Sequence, residues 1–471
     1  MQKILHLCCI LGSVSGIWAQ TPVSFYPTTD ASGVWFGAKI SVFDTNVLVS
    51  SLGQGLGPQV GKTYLFDLSS GNIAQTNVFY PSDVATTDTF GQSHSLNNEF
   101  IAISAPYHDA NFENSGAVYL YRKVAGVWTF LEKLMASDAT VNDTFGRFVQ
   151  IHNNQLFITA LNQTTGNGKV YVYSFNGTGW VFNQTLTTSE PYGFGQKIEF
   201  EGNKLVVISR ESGAEGTARF QTYNYNTSNW IFQHITASLG SVADRITDFS
   251  LSADQLFVTS TMSYTTPEDH LDKVSIYDSA PNTGVWNMSA TVNIVPLSDH
   301  VFNRIEVQGQ DMFIGSTEYI LQMEHKSPLL QLRKTNGNWV QINSFFGNGA
   351  VSQDDYFGSE LALKGNILIV GAPSEGSLNT GQAYYFDLLL GNEDFESEKW
   401  IVYPNPTKDV IRFNHTEGIH SVALYSIRGE LLRFKSSDLD QFSLEGFAAG
   451  IYFITISFGT NFTQTIKIIK E

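Results

Sequence analysis

Chemistry in this 471-residue chain would have to come from carboxylates and amide oxygens, because its two thiols, Cys8 and Cys9, lie in an N-terminal targeting segment. Five aspartates stand just ahead of apolar runs at recurring positions: Asp88, Asp143, Asp244, Asp299 and Asp355. Gathered on one face, such acids would hold a cation or a basic ligand. Taken singly, an Asp beside Thr or before an aromatic strand forms a local side-chain turn bond, and that structural reading is preferred. Asp109-Ala110-Asn111-Phe112-Glu113-Asn114 presents oxygens at alternate positions but lacks the glycine that a calcium loop needs for its bend. Glu268-Asp269-His270 offers less, and both segments read as solvated polar loops. There is no P-loop, no H-E-x-x-H, no G-x-S-x-G and no paired His/carboxylate spacing. The sequence thus predicts no catalytic residue, no metal and no cofactor. Glycosidic cleavage needs only two carboxylates, so a glycan-active enzyme built from scattered loop acids stays open as the alternative.

The elements that would carry these loops repeat. Phe36-Gly37, Phe90-Gly91, Phe145-Gly146, Phe194-Gly195 and Phe357-Gly358 recur with two degenerate copies, Arg245-Ile246 and Val301-Phe302, at steps of 49 to 56 residues. A period of that length signals one supersecondary unit repeated. Within a unit, short runs rich in β-branched and aromatic residues alternate with Asn/Gly turns, as in Phe100 to Ala105, Gly116 to Tyr121 and Trp128 to Leu134. Trp128, Trp180, Trp230, Trp286 and Trp339 mark the fourth strand, where packing between units is the preferred role over sugar binding. Four strands and seven units predict an all-β fold, a seven-bladed β-propeller over residues 20–390. The last unit lacks a fourth strand of its own, and residues 22–27 are expected to pair with 383–387 and close the ring, leaving no open sheet edge there.

Phe-Gly, an apolar strand, then Gly371-Ala372-Pro373 and Gly381-Gln382-Ala383-Tyr384 resemble the FG-GAP repeat of integrin-like propellers; Ser104-Ala105-Pro106 with Gly116-Ala117-Val118-Tyr119 matches equally well. The calcium loop that the family carries between its first two strands is replaced here by tight turns such as Asn97-Asn98 and Gly365-Asn366. Calcium takes six to eight oxygens, which such turns do not supply. The resemblance is therefore to the short, metal-free form, and integrin-like function does not follow. Topology puts the long 2→3 loops and the acids that precede strand 1 on one face, which is the expected site of function.

The remaining segments concern export. Residues 1–19, with Lys3 ahead of a short apolar stretch, read as a secretory signal cleaved between Ala19 and Gln20. No later apolar run is long enough to span a membrane. The mature chain then lacks cysteine and depends on its core alone. The net charge of −17 lies almost wholly before residue 399 and disfavours nucleic acid or an anionic membrane as partner. Residues 391–399 read as an acidic linker, and 400–471 as a small Ig-like β-sandwich. In that tail, Val402-Tyr403-Pro404-Asn405-Pro406, Arg428-Gly429, Gly450-Ile451-Tyr452 and Lys467-Ile468-Ile469-Lys470 resemble the type A C-terminal sorting domain of the type IX secretion system. The resemblance implies delivery through the type IX machinery to the cell surface or medium, with Tyr403, Pro404, Asn405, Pro406, Gly429, Gly450, Tyr452, Lys467 and Lys470 as motif residues. The function expected is binding or adhesion to a glycan or protein ligand on the long-loop face. A glycan-active enzyme or an accessory subunit of a surface complex is the alternative.

Overall fold

The computed structural model describes residues 22–28, 35–53, 60–69, 72–189, 192–211, 214–240, 244–262, 272–280, 284–294, 300–319, 328–347, 356–375, 380–388, 402–413, 419–426, 431–436, 439–458 and 462–471. Residues 20–388 form one compact unit and residues 389–471 belong to another. The signal cleavage pair Ala19 and Gln20, the linker, Glu268-Asp269-His270, Asp299, Asp355 and Gly429 lie outside the described residues, as does the side chain of Asp244.

In the larger unit, four-stranded antiparallel sheets occupy residues 36–79, 94–134, 149–186, 198–235, 244–294, 300–345 and 360–387, numbered here sheets 1 to 7 in that order. Each runs strand 1 to strand 4 in chain order, except that Val23–Phe25 supplies the fourth strand of sheet 7. That strand pairs as the sequence predicts, with Val23 opposite Tyr385 and Phe25 opposite Ala383. The only described helix is a single 3-10 turn, Thr86–Asp88. The arrangement is that of a β-propeller.

The Phe-Gly pairs are the wedges between sheets. Phe36, Phe90, Phe145, Phe194 and Phe357 are all fully buried. Phe145 N donates to Ser115 O of the preceding sheet at 3.0 Å, and Phe36 N to Thr380 O at 3.2 Å across the closure. At the first of these junctions Gly116, at φ +82°, lies so close that a Cβ there would meet Phe145 O at 2.2 Å. A side chain would clash, and the positive φ suits glycine alone. The paired glycine of the motif, Gly146, sits at φ +98° with a Cβ position 2.9 Å from Ser104 Cβ. Both halves of the motif are thus required by backbone approach between neighbouring sheets.

Tryptophan has the packing role expected of it. Trp180 stands edge-on to Phe100 of the preceding sheet at 5.1 Å, and Trp230 edge-on to Phe157 at 5.5 Å. Trp230 Nε1 donates to Gln155 Oε1 at 3.0 Å, and Trp286 Nε1 to Thr222 Oγ1 at 2.8 Å. Outer strands share a further device. The 3–4 pairing of sheets 1 to 6 breaks register at one equivalent place, for example between Val172 and Tyr173 or Ile276 and Tyr277. Such bulges twist an edge strand away from pairing with another chain.

In the C-terminal unit, a three-stranded sheet (Val402–Tyr403, Val410–Phe413, Gln441–Ser443) and a four-stranded one (Leu431–Lys435, Ile419–Ser426, Gly450–Phe458, Phe462–Lys470) share one core. Val402, Ile411 and Phe442 meet Val422, Leu424, Ile454 and Ile468 there.

Candidate functional site

On the loop-bearing face the two described acids ahead of strand 1 are already engaged. Asp88 Oδ2 accepts from Ala85 N at 3.0 Å and from His108 Nδ1 at 2.6 Å. In the next repeat Asp143 accepts from Thr140 N at 2.5 Å and from Asn162 Nδ2 at 2.7 Å. Each acid therefore bonds a backbone N–H three residues earlier and a side chain from its own repeat's 2→3 loop. The His108–Asp88 pair escaped the sequence scan because twenty residues of chain separate the partners. Taken alone it suggests an oriented general base; the equivalent Asn162–Asp143 latch, which has no acid–base chemistry, shows it to be structural.

A second latch repeats beside the first. Asp83 accepts from Tyr119 Oη at 3.1 Å and from Lys133 Nζ at 2.7 Å, and Asp138 accepts from Tyr171 Oη at 2.7 Å and Lys169 Nζ at 2.5 Å. Burial opposes the charge on each, yet the lysine and tyrosine donors outweigh it and hold both carboxyls below their usual range. Burial, and then the neighbouring aspartate, push the two phenols up. The segment 109–114 is closed on itself: Asn114 N donates to Asp109 Oδ1 at 2.8 Å. Tyr80, Phe112 and Tyr192, from three connections that reach this face, are exposed by 62%, 51% and 38%.

The centre of the ring holds charges that the sequence analysis missed. Strand 1 of each sheet packs beside strand 1 of its neighbour at most junctions, so these strands surround the axis. Lys197 Nζ lies 2.9 Å from both Glu199 Oε1 and Asp248 Oδ1 and donates to Phe249 O at 2.6 Å. Glu360 pairs with Lys39 and lies 3.8 Å from Arg304 Nε. Carboxylates also cross between sheets: Leu251 N donates to Glu199 Oε2 at 2.8 Å and Ile305 N to Asp248 Oδ2 at 3.2 Å. Serines do the same elsewhere, Ser93 accepting from Val149 N and Ser250 from Val307 N. Burial, and then the Glu199 carboxylate, push the Glu306 carboxyl up to about 8, against the pull of Lys197 and Lys39. Burial opposes the Lys197 charge, but Asp248 and Glu199 raise its affinity for the proton overall.

One signal would have found this network. The third residue after each repeat's opening position is Lys39, Ser93, Phe148, Lys197, Asp248, Arg304 and Glu360 in turn, and the fifth includes Glu199 and Glu306. Read as columns rather than rows, the repeats display charges that alternate over five of seven axial positions, with Ser93 and Phe148 filling the other two. Lys39, Lys197, Glu199, Asp248 and Glu360 satisfy one another or the inner strand edges, so the network reads as a lock. A cleft of about 700 Å³, lined by Gln255, Gln310, Arg333 and Asn336 among others, opens on the opposite, turn-bearing face. Arg333 there is held bidentate by Asp311 at 2.8 and 3.1 Å.

In the C-terminal unit the motif residues converge on the last strand. Asn405 Nδ2 donates to Lys467 O at 2.7 Å, and Ile469 N donates to Asn405 Oδ1 at 2.9 Å. The side-chain amide thus imitates a strand residue and pins the chain's end. Thr407 N continues the pairing to Ile469 O at 2.8 Å. Lys470, almost fully buried, donates from Nζ to Asp409 Oδ1 and Leu444 O, both at 2.8 Å. Gly450 stands opposite Lys470 in register, and Tyr452 Oη donates to Ala448 O at 2.7 Å. Tyr403, Pro404 and Pro406 are exposed around Asn405.

Comparison with family models matches residues 401–471 to the secretion system C-terminal sorting domain. Residues 74–121, 128–173 and 339–386 match the FG-GAP repeat. The chain carries FG-GAP repeats and a type IX sorting module. It is accordingly exported through the type IX secretion system to the cell surface or the extracellular space, and the propeller is what the module delivers. No curated protein matches the chain. Solved structures similar to it include a protein from Lactobacillus plantarum, 12% identical over 85% of this chain and 99% of that one, TM-score 0.46. Others are the β-propeller domain of the trilobed protease from Pyrococcus furiosus (9% identity, 76% and 96% covered, TM-score 0.44) and the periplasmic gluconolactonase of Pseudomonas aeruginosa (11%, 82% and 96%, TM-score 0.43). No helix among the described residues is long and apolar enough to cross a membrane.

Proposed function

We propose that the exported propeller is a binding module whose loop-bearing face takes a glycan or a protein at the cell surface. The observation that carries this reading is the commitment of Asp83, Asp88, Asp138 and Asp143 on that face to fixed partners, beside the exposed rings of Tyr80, Phe112 and Tyr192. General acid catalysis needs a carboxyl held protonated near neutrality; Asp83 and Asp138 are instead held ionised. Exposed aromatic rings offer flat apolar contact with sugar faces or protein side chains at low entropic cost. Export would proceed in two stages, residues 1–19 directing the chain to the periplasm and residues 400–471 across the outer membrane, with 391–399 linking the propeller to its tail.

A glycan array probed with the full mature chain tests the binding reading, with a Tyr80→Ala, Phe112→Ala, Tyr192→Ala variant as control. Bound glycans lost in the folded triple variant support it. Hydrolysis of an arrayed glycan, retained in that variant, would replace it with the enzyme reading.

A further inference from the structure

The cleft of about 700 Å³ on the turn-bearing face lies between the 1→2 turn of sheet 5 and both turns of sheet 6. That volume is within the range of ligand sites. Amide and cationic side chains line it: Gln255, Gln310, Arg333, Lys334 and Asn336. At Gly309 and Gly337, also in the lining, an added Cβ would meet nothing within 4 Å, so both walls face open space. Equivalent turns elsewhere close on themselves. The 3→4 turns of sheets 3 and 4 are capped by Asn176, which accepts from Thr178 N and Gly179 N at 3.0 Å, and by Asn226, which accepts from Asn229 N at 2.9 Å. In sheet 6 the turn is two residues long, Thr335 standing opposite Asn338, with Asn336 at φ +52° and Gly337 at φ +83°. There the Asn336 amide caps nothing, and neither it nor the Gln310 amide has a hydrogen-bond partner among the described residues.

A second observation points to a ligand. Trp339 stands against Phe257 of the preceding sheet at 5.7 Å, as Trp230 stands against Phe157 at 5.5 Å. Trp230 Nε1 donates to Gln155, the first residue of its strand 2. Gln255 holds that place in sheet 5, but its Nε2 donates to Asp278 Oδ1 at 2.6 Å. Asp278 stands where sheet 3 has Ser174. Trp339 Nε1 is left buried and without an acceptor among the described residues. Trp180 shares that state for a simpler reason, since Phe100 occupies the equivalent place and offers no side-chain oxygen. At Trp339 the acceptor is present and diverted.

We propose that this cleft is a carbohydrate site, separate from the loop-bearing face, which takes a short run of a neutral glycan. Sugar hydroxyls both donate and accept, which suits side-chain amides and a guanidinium edge set close together. A hydroxyl donating to Asp278 in place of Gln255 releases that amide to Trp339, so a polyol seated here satisfies a buried donor. Charge selects a neutral ligand. Arg333 is matched by Asp311. Among the described residues Lys334 lacks a carboxylate and Asp278, bonded to Gln255, lacks a cation, so the two offset each other.

The test probes the full mature chain on an array of neutral and acidic glycans, with hits titrated in solution. One arm carries Tyr80→Ala, Phe112→Ala and Tyr192→Ala, so that failure of the loop-face reading does not decide this one. A neutral glycan should stay bound in that arm. Adding Gln310→Ala with Asn336→Gly should weaken it at least about tenfold, as loss of two hydrogen bonds does, while glycine keeps the positive φ of the turn. Gln310→Ala alone, which alters no turn conformation, should weaken it several-fold and keeps the test open if the double change fails to fold. Lys334→Ala should alter it less than about threefold. A loop-face variant that holds no neutral glycan overturns the proposal, as does unchanged binding in the folded Gln310/Asn336 variant. Binding confined to acidic glycans and abolished by Lys334→Ala overturns it too, since the cleft would then be an anion site.

Discussion

The propeller sheets and the four-stranded sheet of the sorting module solve the same problem in opposite ways. In the propeller each sheet is covered on both faces by its neighbours: Trp180 and Trp230 reach back to the sheet before, and the fully buried Phe-Gly wedges lock each junction. Its exposed apolar residues, such as Phe130, Phe182 and Phe232, stand singly on outer strands, each edge-on to a tyrosine of strand 3. The module's sheet has one covered face and one apolar face left open. A repeat supplies its own cover; the module's outer sheet keeps Leu431, Phe434, Ile451 and Ile469 exposed.

The sharpest way to break that contrast is to remove a wedge. Phe145→Ala deletes a fully buried ring at a junction between two sheets and should cost about 3–5 kcal/mol, read as a lowered denaturant midpoint for the propeller transition. A loss below about 1 kcal/mol would mean that the ring closes by strand pairing alone and that its self-sufficiency owes little to the Phe-Gly motif.

Next in size is the axial lock. Glu306 is a carboxyl whose folded pKa, about 8, lies above its unfolded value of 4.5. The folded state therefore holds the proton more tightly, and stability falls as pH rises from about 4.5 to 8, then levels. Glu306→Gln removes this slope, so the variant should gain on the wild type across that window by roughly 2 kcal/mol; the full shift would set a higher bound, but water reaches the axial side chains and reduces it. Urea midpoints at pH 5, 7 and 9 measure the gap. Parallel pH profiles for the two proteins would show that Glu306 ionises normally.

On the module side, Asn405→Ala leaves Lys467 O and Ile469 N without their partner and should cost about 1–2 kcal/mol, with faster amide exchange at Ile469 while Val422 and Ile454 stay protected. Unchanged exchange at Ile469 would mean that Thr407 and Gly450 hold the last strand unaided.

How much of this was legible in the sequence follows the same division. The Phe-Gly wedges, the tryptophans and the closure by Val23–Phe25 were readable because backbone approach and large-ring packing tolerate few residue types. The motif Pro404-Asn405-Pro406 was readable as an export signal, but its amide clamp on Lys467 and Ile469 was not, since the partners are over sixty residues apart. The acids before strand 1 were seen, and for Asp88 and Asp143 the local-bond reading holds; the His108 partner was hidden by distance along the chain. The axial charges were hidden by dispersion. Lys197, Asp248, Arg304 and Glu360 are unremarkable in their own segments and acquire meaning only as one column of the repeat.

The smallest expected effect sharpens the contrast most. Phe182 and Phe434 are exposed to nearly the same degree, 52% and 59%, on outer strands of their respective sheets. If exposure alone made a contact surface, serine at either would matter equally. Phe182 stands on a bulged edge beside Tyr173, its ring 5.8 Å away, so Phe182→Ser forfeits one edge-to-face contact and should cost less than about 1 kcal/mol. Phe434 adjoins Leu431, Tyr425 and, beyond them, Ile451 and Ile469. Phe434→Ser, set among these apolar neighbours, should cost more than Phe182→Ser; equal shifts of the two urea midpoints would show that the continuity of the module's face adds nothing to its stability.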